Sequence, residues 1–328
     1  LIALQAAADL LAIRIASSVM IQVDAEFNML QCAPNSAAIG AAGATAFFAD
    51  FPNVPIANTF YPVALANALA GEDMDGRADI DAVFNSGIDD NPLCLVGVDW
   101  YYGLDDMPGN DLNFLSTATH ELVHGLGFVT ITNLVTGAFG DGSPDIFATL
   151  IRDLTFDATW PQLTAQQRSV SAQNDGNVVW DGVSTTQSGA ASLSNGTNQG
   201  QVQLYAPAPL EQGSSISHWD VSLSPNALME PFDTSDVEVT NGTGLATCQL
   251  QDIGWTLING TQCPDMGGVV GSPSISSSGS GFGSSSGGSG GGGGCVLTRG
   301  NASIDPMLPL LLLLTLVSLG YRRAKARY

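Results

Sequence analysis

The chain has 328 residues, 45% of them hydrophobic, which is enough apolar material for one large domain or two ordinary ones with a buried core. Only 9 Lys and Arg residues stand against 31 Asp and Glu residues, giving a formal net charge of −22. A field of this sign repels phosphate backbones and anionic lipid headgroups, so the composition argues against nucleic acid as a partner and indicates acidity that favours solubility.

Hydrophobic periodicity predicts the first elements. Residues 1–17 are expected to form an amphipathic helix, because polar residues interrupt the apolar core that a signal peptide requires. Strands are predicted at residues 18–24, 59–63 and 94–101, and a short helix at residues 64–70. No methionine starts the chain, so we expect a fragment or a processed form, and any export signal would be missing from it.

Two acidic clusters, at residues 72–81 and 105–111, are candidate calcium sites. Carboxylates beside glycines are hard oxygen ligands of the kind that Ca²⁺ prefers. Neither cluster matches the spacing of an EF-hand loop, so solvated turns are the alternative interpretation.

All three histidines of the chain fit one metal centre. His120 and His124 lie four residues apart in an HExxH pattern, and His218 stands alone in the sequence. Residues 111–127 are predicted to form a helix, on which residues four apart share a face and can bind one cation. Glu121 lies beside that face and can reach a metal-bound water.

The same helix is predicted to be amphipathic. Its apolar stripe consists of Leu115, Ala118, Leu122 and Leu126. At about 3.6 residues per turn this stripe lies opposite His124, so one side is expected to be buried while the other presents the ligands. Gly125 and Gly127 are expected to end the helix, because glycine adopts the left-handed cap conformation without steric cost.

The run HELVHGLGF, residues 120–128, resembles the active-site helix and glycine turn of the metzincin zinc peptidases. In the commonest metzincins a third histidine follows three residues after the second glycine, and Thr130 occupies that slot here. The resemblance is therefore to the leishmanolysin-like branch, in which an insertion, here at about residues 131–216, precedes a distant third histidine. It implies that His218 is the third zinc ligand and Met229 the Met-turn residue beneath the zinc.

The resemblance covers residues 1–262 and includes Leu250–Trp255 as the closing helix segment of such domains. It implies an α+β fold, a metzincin-like zincin catalytic domain with one catalytic Zn²⁺, and hydrolysis of peptide bonds in protein or peptide substrates. Glu121 would be the general base, and Asp220 or Asp252 could orient the imidazoles, as carbonyl groups could. The alternative is a surface adhesion or binding module with a structural zinc site.

A glutamate is the competing candidate for the third ligand, as in gluzincins, where a second helix supplies it. The downstream candidates are Glu211, Glu230 and Glu238. Prolines at residues 207, 209, 225 and 231 argue against helices around them, so His218 is preferred and Glu230 is the main substitute.

Further elements are predicted within the insertion. Ser143 and Pro144 have the pattern of a helix start, and Thr164 with Gln167 has capping-box spacing. Residues 182–203 are polar and without periodicity, which predicts a surface loop.

Four cysteines lie in the predicted catalytic body and allow three disulfide pairings. We prefer Cys32 with Cys94 and Cys248 with Cys263, which implies an oxidising compartment. Cysteine ligation of zinc is the rival interpretation, but the sequence contains no Cys-x-x-Cys spacing.

A different composition begins at residue 263. Residues 263–294 are rich in Gly and Ser and predict a disordered linker. The tail, residues 295–328, contains Cys295, an apolar run at residues 307–319 expected to form a short helix, and a basic end. About 13 apolar residues are short for a permanent span, which needs about 20.

This tripartite tail resembles the Gly-rich, Cys-containing C-terminal sorting signals of bacteria. The resemblance implies transient inner-membrane insertion, a processing protease as partner, and Cys295 as the processing or lipid-attachment site. The catalytic body would then reach the surface or exterior of a Gram-negative-type bacterium. An ordinary C-terminal membrane anchor is the alternative.

Overall fold

The computed structural model describes residues 1–234, 236–258 and 260–264, together with the backbone of two strands at residues 295–299 and 322–323. The fold is mixed α+β, as predicted. The predicted linker and the apolar run at residues 307–319 lie outside the described residues. Among the helices of the described part, none is both long and apolar enough to cross a membrane.

Seven α-helices are described: α1 (Ile2–Ala12), α2 (Val63–Ala70), α3 (Gly87–Asp90), α4 (Phe114–Leu126), α5 (Ala165–Ser171), α6 (Val183–Ser192) and α7 (Leu245–Ile253). Short 3-10 helices lie at Gly140–Gly142, Ala148–Leu150, Trp160–Gln162 and Val239–Asn241.

The strands of the N-terminal part are β1 (Ile15–Ala16), β2 (Val23–Asn28), β3 (Cys32–Ala33), β4 (Ser36–Ala44), β5 (Phe47–Ala49), β6 (Tyr61–Pro62), β7 (Ile80–Asn85), β8 (Trp100–Tyr101) and β9 (Leu112–Asn113). Those that follow are β10 (Ile151–Asp153), β11 (Ala158–Thr159), β12 (Val178–Trp180), β13 (Thr197–Asn198), β14 (Gln201–Val202), β15 (Thr256–Leu257), β16 (Cys295–Arg299) and β17 (Arg322–Arg323).

The main sheet has the order β16-β4-β7-β2, and β3 also pairs with β4. β2 runs parallel to β7, whereas β4 is antiparallel to both β7 and β16. The register aligns Gly40 with Phe84 and Ala42 with Ala82. β4 is therefore an inner strand only because β16 covers its second edge.

α4 packs against β4 and α1 and also contacts β7. Small residues make this close approach possible. A Cβ added at Gly125 would lie 2.4 Å from Cγ2 of Ile80, so only glycine fits where the helix crosses β7. Gly125 therefore lies inside α4 and does not end it, which corrects the expectation from the sequence.

A second packing unit follows α4. β10, β11 and β12 form a three-stranded sheet, and α6 packs against α7 and β14. A continuous aromatic core lies among these elements, with Phe128 against Phe147 and Trp219, and Trp180 against Phe147. This core connects the end of α4 with the segment that carries the third histidine.

Some predicted elements are confirmed. α2 matches the helix expected at residues 64–70, and α5 begins after Thr164, whose side chain forms the expected capping box with Gln167. The strand expected at residues 59–63 is present in shorter form as β6, and that at residues 94–101 is reduced to β8. The strand expected at residues 18–24 is shifted, since β2 begins only at Val23. The helix expected over residues 1–17 is shorter and ends at Ala12.

Two expectations within the insertion were wrong. No α-helix begins at Ser143, because the nearby Asp145 carboxylate accepts from the backbone N–H of Ala148 at 2.7 Å and holds a 3-10 turn instead. Residues 182–203 are not a loop, because Asp252 accepts from the backbone N–H groups of Ser184 and Thr185 and stabilises the start of α6.

Both preferred disulfides are present, Cys32–Cys94 and Cys248–Cys263. The first connects β3, beside the main sheet, with the loop before β8, and the second joins α7 to the end of the body. Because all four cysteines are paired, thiolate ligation of a metal by these residues is excluded.

Candidate metal centre

α4 carries two of the three histidines on a well-defined helix. The Asn113 side chain accepts from the backbone N–H groups of Leu115 and Ser116 at 3.0 and 3.3 Å and caps the helix start. At the other end Gly127 has φ 127°, and its N–H donates to the carbonyl of His124. The helix of the HExxH pattern therefore forms where the sequence predicts it.

Both faces of α4 are buried, however, and not only the apolar stripe. His120 is 1% exposed, and Glu121 and His124 are fully buried. The side opposite the apolar stripe presents the histidines, as expected, and β4 and the segment around His218 cover it.

His218 reaches the two α4 histidines from 94 residues further along the chain. Its carbonyl accepts from the N–H of Tyr205 at 2.9 Å, and the N–H of Trp219 donates to the carbonyl of Met229 at 2.8 Å. These backbone bonds hold the His218 segment between two neighbouring stretches of chain. His218 is consequently as buried as His124.

The ligand nitrogens of the three imidazoles converge. Nε2 of His124 lies 3.0 Å from Nε2 of His120 and 3.2 Å from Nε2 of His218. Two ligands about 2.0–2.1 Å from a tetrahedral ion are separated by about 3.3 Å, so these spacings fit one small divalent cation. Three protein ligands leave a fourth position for water or substrate.

The other nitrogen of each ring faces a backbone carbonyl. The pairs are His120 Nδ1 with Leu228 O at 2.5 Å, His124 Nδ1 with Phe128 O at 2.7 Å, and His218 Nδ1 with Ser214 O at 2.8 Å. Because a carbonyl only accepts, each Nδ1 carries the proton and each Nε2 presents a lone pair. Three lone pairs pointing at one place repel one another unless a cation lies between them.

The protonation state agrees with this arrangement. Burial lowers the pKa of His120 to about 4. Burial also holds the pKa of His124 and of His218 well below the ordinary value, with a smaller contribution from the neighbouring rings. Neutral imidazole is the form that binds metal.

The carboxyl group of Glu121, the residue after His120 on α4, is buried without a hydrogen-bond partner among the described residues. Burial raises its pKa well above the ordinary value, and the backbone N–H of Ala42, which is close but outside hydrogen-bonding geometry, partly opposes this shift. A fully buried and unpartnered carboxyl group is costly, and a functional role is the usual reason for retaining one.

Thr130, which stands in the third-histidine slot of the compact motif, is tied to the segment that replaces it. Its N–H donates to Oγ of Ser217 at 3.2 Å, and its hydroxyl donates to Asp145 at 2.8 Å. The end of the long insertion therefore lies next to Thr130, the residue in the third-histidine slot of the compact motif. Met229 is buried next to Leu228, whose carbonyl orients His120.

The other sequence candidates are not part of the trio. Within the described ranges, the three histidines form the one group of three or more His, Cys, Asp or Glu side chains that is close enough to share an ion. Glu211, Glu230 and Glu238 are therefore not brought to it, and neither acidic cluster forms such a group. Glu230 instead accepts from the N–H of Ala227 at 2.7 Å.

The two aspartates considered as orienting groups bond elsewhere. Asp252 accepts from Nε1 of Trp180, and Asp220 accepts from the N–H of Ser222. Backbone carbonyls orient all three rings. Sequence reasoning missed their identity, because a carbonyl acceptor has no side-chain signature, and it also missed β4 as the neighbour of Glu121.

In comparisons with known proteins, no family model, curated protein or solved structure matches this chain.

Proposed function

We propose that the chain is a zinc-dependent endopeptidase of the metzincin type, similar to the leishmanolysin-like branch. The observation that carries the proposal is the convergence of the Nε2 atoms of three buried imidazoles, two of them on the helix that also carries the unpartnered Glu121 carboxyl group. His120, His124 and His218 would hold the ion, and three imidazoles with an open fourth position are the donor set of catalytic zinc.

Bound there, zinc would supply a water of lowered pKa and polarise the scissile carbonyl. Glu121 would take a proton from the water at a carboxylate oxygen as the water oxygen attacks the carbonyl carbon, and would give that proton to the amide nitrogen as the C–N bond breaks. The carbonyls of Leu228, Phe128 and Ser214 keep the imidazoles in the binding tautomer throughout. Met229, buried next to Leu228, would be the Met-turn residue beneath the ion.

We also propose export for this chain. The disulfides Cys32–Cys94 and Cys248–Cys263 support an oxidising compartment. Sorting through the tail with processing at Cys295, and release at the surface of a Gram-negative-type bacterium, remain proposals from the sequence resemblance.

The test compares Glu121→Gln with His218→Ala. Glu121→Gln is expected to keep one bound zinc per chain, because it removes no ligand, while casein cleavage falls by about 10²- to 10⁴-fold. His218→Ala is expected to lose the metal. Metal content by mass spectrometry and casein cleavage are measured on the same preparations.

Undiminished cleavage by pure, zinc-loaded Glu121→Gln would contradict the role of Glu121. One zinc per wild-type chain with no turnover of any peptide in a library would instead support the structural-zinc binding module.

A further inference from the structure

The turn at residues 227–230 is closed twice, once by its backbone and once by a side chain. The N–H of Glu230 donates to the carbonyl of Ala227 at 3.1 Å. In the opposite direction, Oε1 of Glu230 accepts from the N–H of Ala227 at 2.7 Å. Both bonds join the same pair of residues, so the Glu230 carboxyl group adds a second closure to the turn.

The two residues inside this turn reach the candidate metal centre through their carbonyl groups. The carbonyl oxygen of Leu228 lies 2.5 Å from Nδ1 of His120. The carbonyl of Met229 accepts from the N–H of Trp219, the residue after His218, at 2.8 Å. One turn thus orients a histidine of α4 and also holds the segment that carries the third histidine.

The path of the chain decides where a backbone carbonyl points. Whatever closes the turn at residues 227–230 therefore also places the carbonyls of Leu228 and Met229. An acceptor that faces the second nitrogen of a metal-binding imidazole fixes the orientation of the ring and raises its basicity. A displaced Leu228 carbonyl would consequently weaken the binding of an ion by His120.

The Glu230 side chain occupies its place at an energetic cost. It is 4% exposed, and burial raises its pKa to about 7. The hydrogen bond from Ala227 lowers this pKa, whereas the nearby Asp236 and Asp220 carboxylates raise it. A buried carboxyl group near two others is unfavourable, and functional sites are where such groups concentrate. A neutral carboxyl group also accepts a hydrogen bond, so the contact with Ala227 does not require the charge.

We infer that Glu230 is a positioning residue of the metal centre, acting through the Leu228 carbonyl on His120 and through the Met229 carbonyl on the segment of His218. Glu230 is thus not a substitute for the third ligand but a support for two of the three ligands. This inference rests on the metal centre of the proposed function and not on the hydrolysis of peptide bonds.

The test compares Glu230→Gln with Glu230→Met in the full chain. Both new side chains are uncharged and about as long as glutamate, but only glutamine has an oxygen that can accept from the N–H of Ala227. Glu230→Asp keeps the carboxyl group and is shorter by one methylene group, which moves the oxygens away from that N–H. Zinc affinity is measured by competition with a chromophoric chelator. The visible spectrum of the Co²⁺-loaded chain reports the ligand geometry, which Zn²⁺ with its filled d shell does not.

Glu230→Met and Glu230→Asp are expected to bind zinc about 10-fold or more weakly, as when a partner that orients a metal ligand is lost, and to shift the Co²⁺ absorption bands. Glu230→Gln should resemble the wild type in both measurements. Asp252→Ala is the control for lost stability, because its carboxylate supports α6 and not this turn. It should unfold at a lower urea concentration with unchanged zinc affinity and an unchanged Co²⁺ spectrum.

Wild-type zinc affinity and a wild-type Co²⁺ spectrum in folded Glu230→Met and Glu230→Asp would overturn the positioning role. Glu230→Gln binding zinc as weakly as Glu230→Met would also overturn it, because the hydrogen bond would then not decide the affinity. If Glu230→Met does not fold, Glu230→Asp decides alone. Zinc binding by the wild type without cleavage of any peptide would contradict the proposed function only, since none of these measurements needs turnover.

Discussion

Replacing Gly40 with alanine tests whether the position of the Glu121 carboxyl group controls activity. The new Cβ would lie 2.9 Å from Oε1 and 3.2 Å from Cδ of Glu121, whereas ordinary van der Waals contact begins at 3.4 Å. The carboxyl group must therefore move by about 0.5 Å, the difference between 3.4 and 2.9 Å. The three heavy atoms nearest to the new Cβ all belong to Glu121 and none to a histidine.

The displacement sets the expected size of the effect. A misplacement of about 1 Å at a reacting group costs about 10²-fold in rate, so about 0.5 Å should lower kcat about 10-fold. Metal content and KM should change little, because neither the ligands nor the β4 backbone is altered. Steady-state kinetics on quenched-fluorescent peptides measures kcat and KM, and metal analysis of the same samples measures the metal content.

Ala41→Val is the matched control, because alternate residues of a strand point to opposite faces and residue 41 points away from Glu121. It should leave kcat within about twofold of wild type. A folded, zinc-loaded Gly40→Ala protein with wild-type kcat would refute the argument that this contact positions the base.

Two further predictions concern stability. Asp252→Ala should lower the free energy of unfolding by about 1–3 kcal/mol, because it removes the acceptor of the N–H groups at the start of α6. It should leave zinc affinity unchanged. Weaker zinc binding with normal stability would instead show that Asp252 acts on the metal site. Asp145→Asn should also destabilise, since an amide cannot accept all the bonds made to this carboxylate. Burial raises the pKa of Asp145 in the folded chain to about 6. The contribution of its protonated form to folding stability is therefore complete below the ordinary pKa of 3.8 and is lost as the pH rises through about 6. The deficit of the variant should therefore shrink by about 1 kcal/mol between about pH 5 and 7.5 in urea titrations, and a deficit that grows with pH would contradict this sign.

The parts of the site that the sequence predicts are those with side-chain signatures. His120 and His124 follow from their four-residue spacing on a helix, and His218 follows because the chain has no other imidazole. The three rings converge as predicted. Their carbonyl partners could not be predicted, because every residue has a carbonyl group and only the path of the chain selects Leu228, Phe128 and Ser214.

The elements of the fold also divide into those that a local sequence signal predicts and those that depend on distant residues. Local signals placed α2, α4 and α5, where apolar periodicity or a capping box decides the element. β4 was missed, because its run of Ala and Gly has low strand propensity and gains its stability from α4 and the neighbouring strands. α6 was missed for a similar reason, since the Asp252 carboxylate that stabilises its start comes from a distant helix.

The separation of 94 residues between His124 and His218 means that a bound ion would also affect the stability of the fold. An ion that binds both only after this long loop has closed would stabilise the folded state by mass action, since the unfolded chain offers it no preformed site. Capture of the ion then requires that the intervening segment has already returned to Thr130. Metal binding would therefore come late in folding, after the main body of the chain has formed.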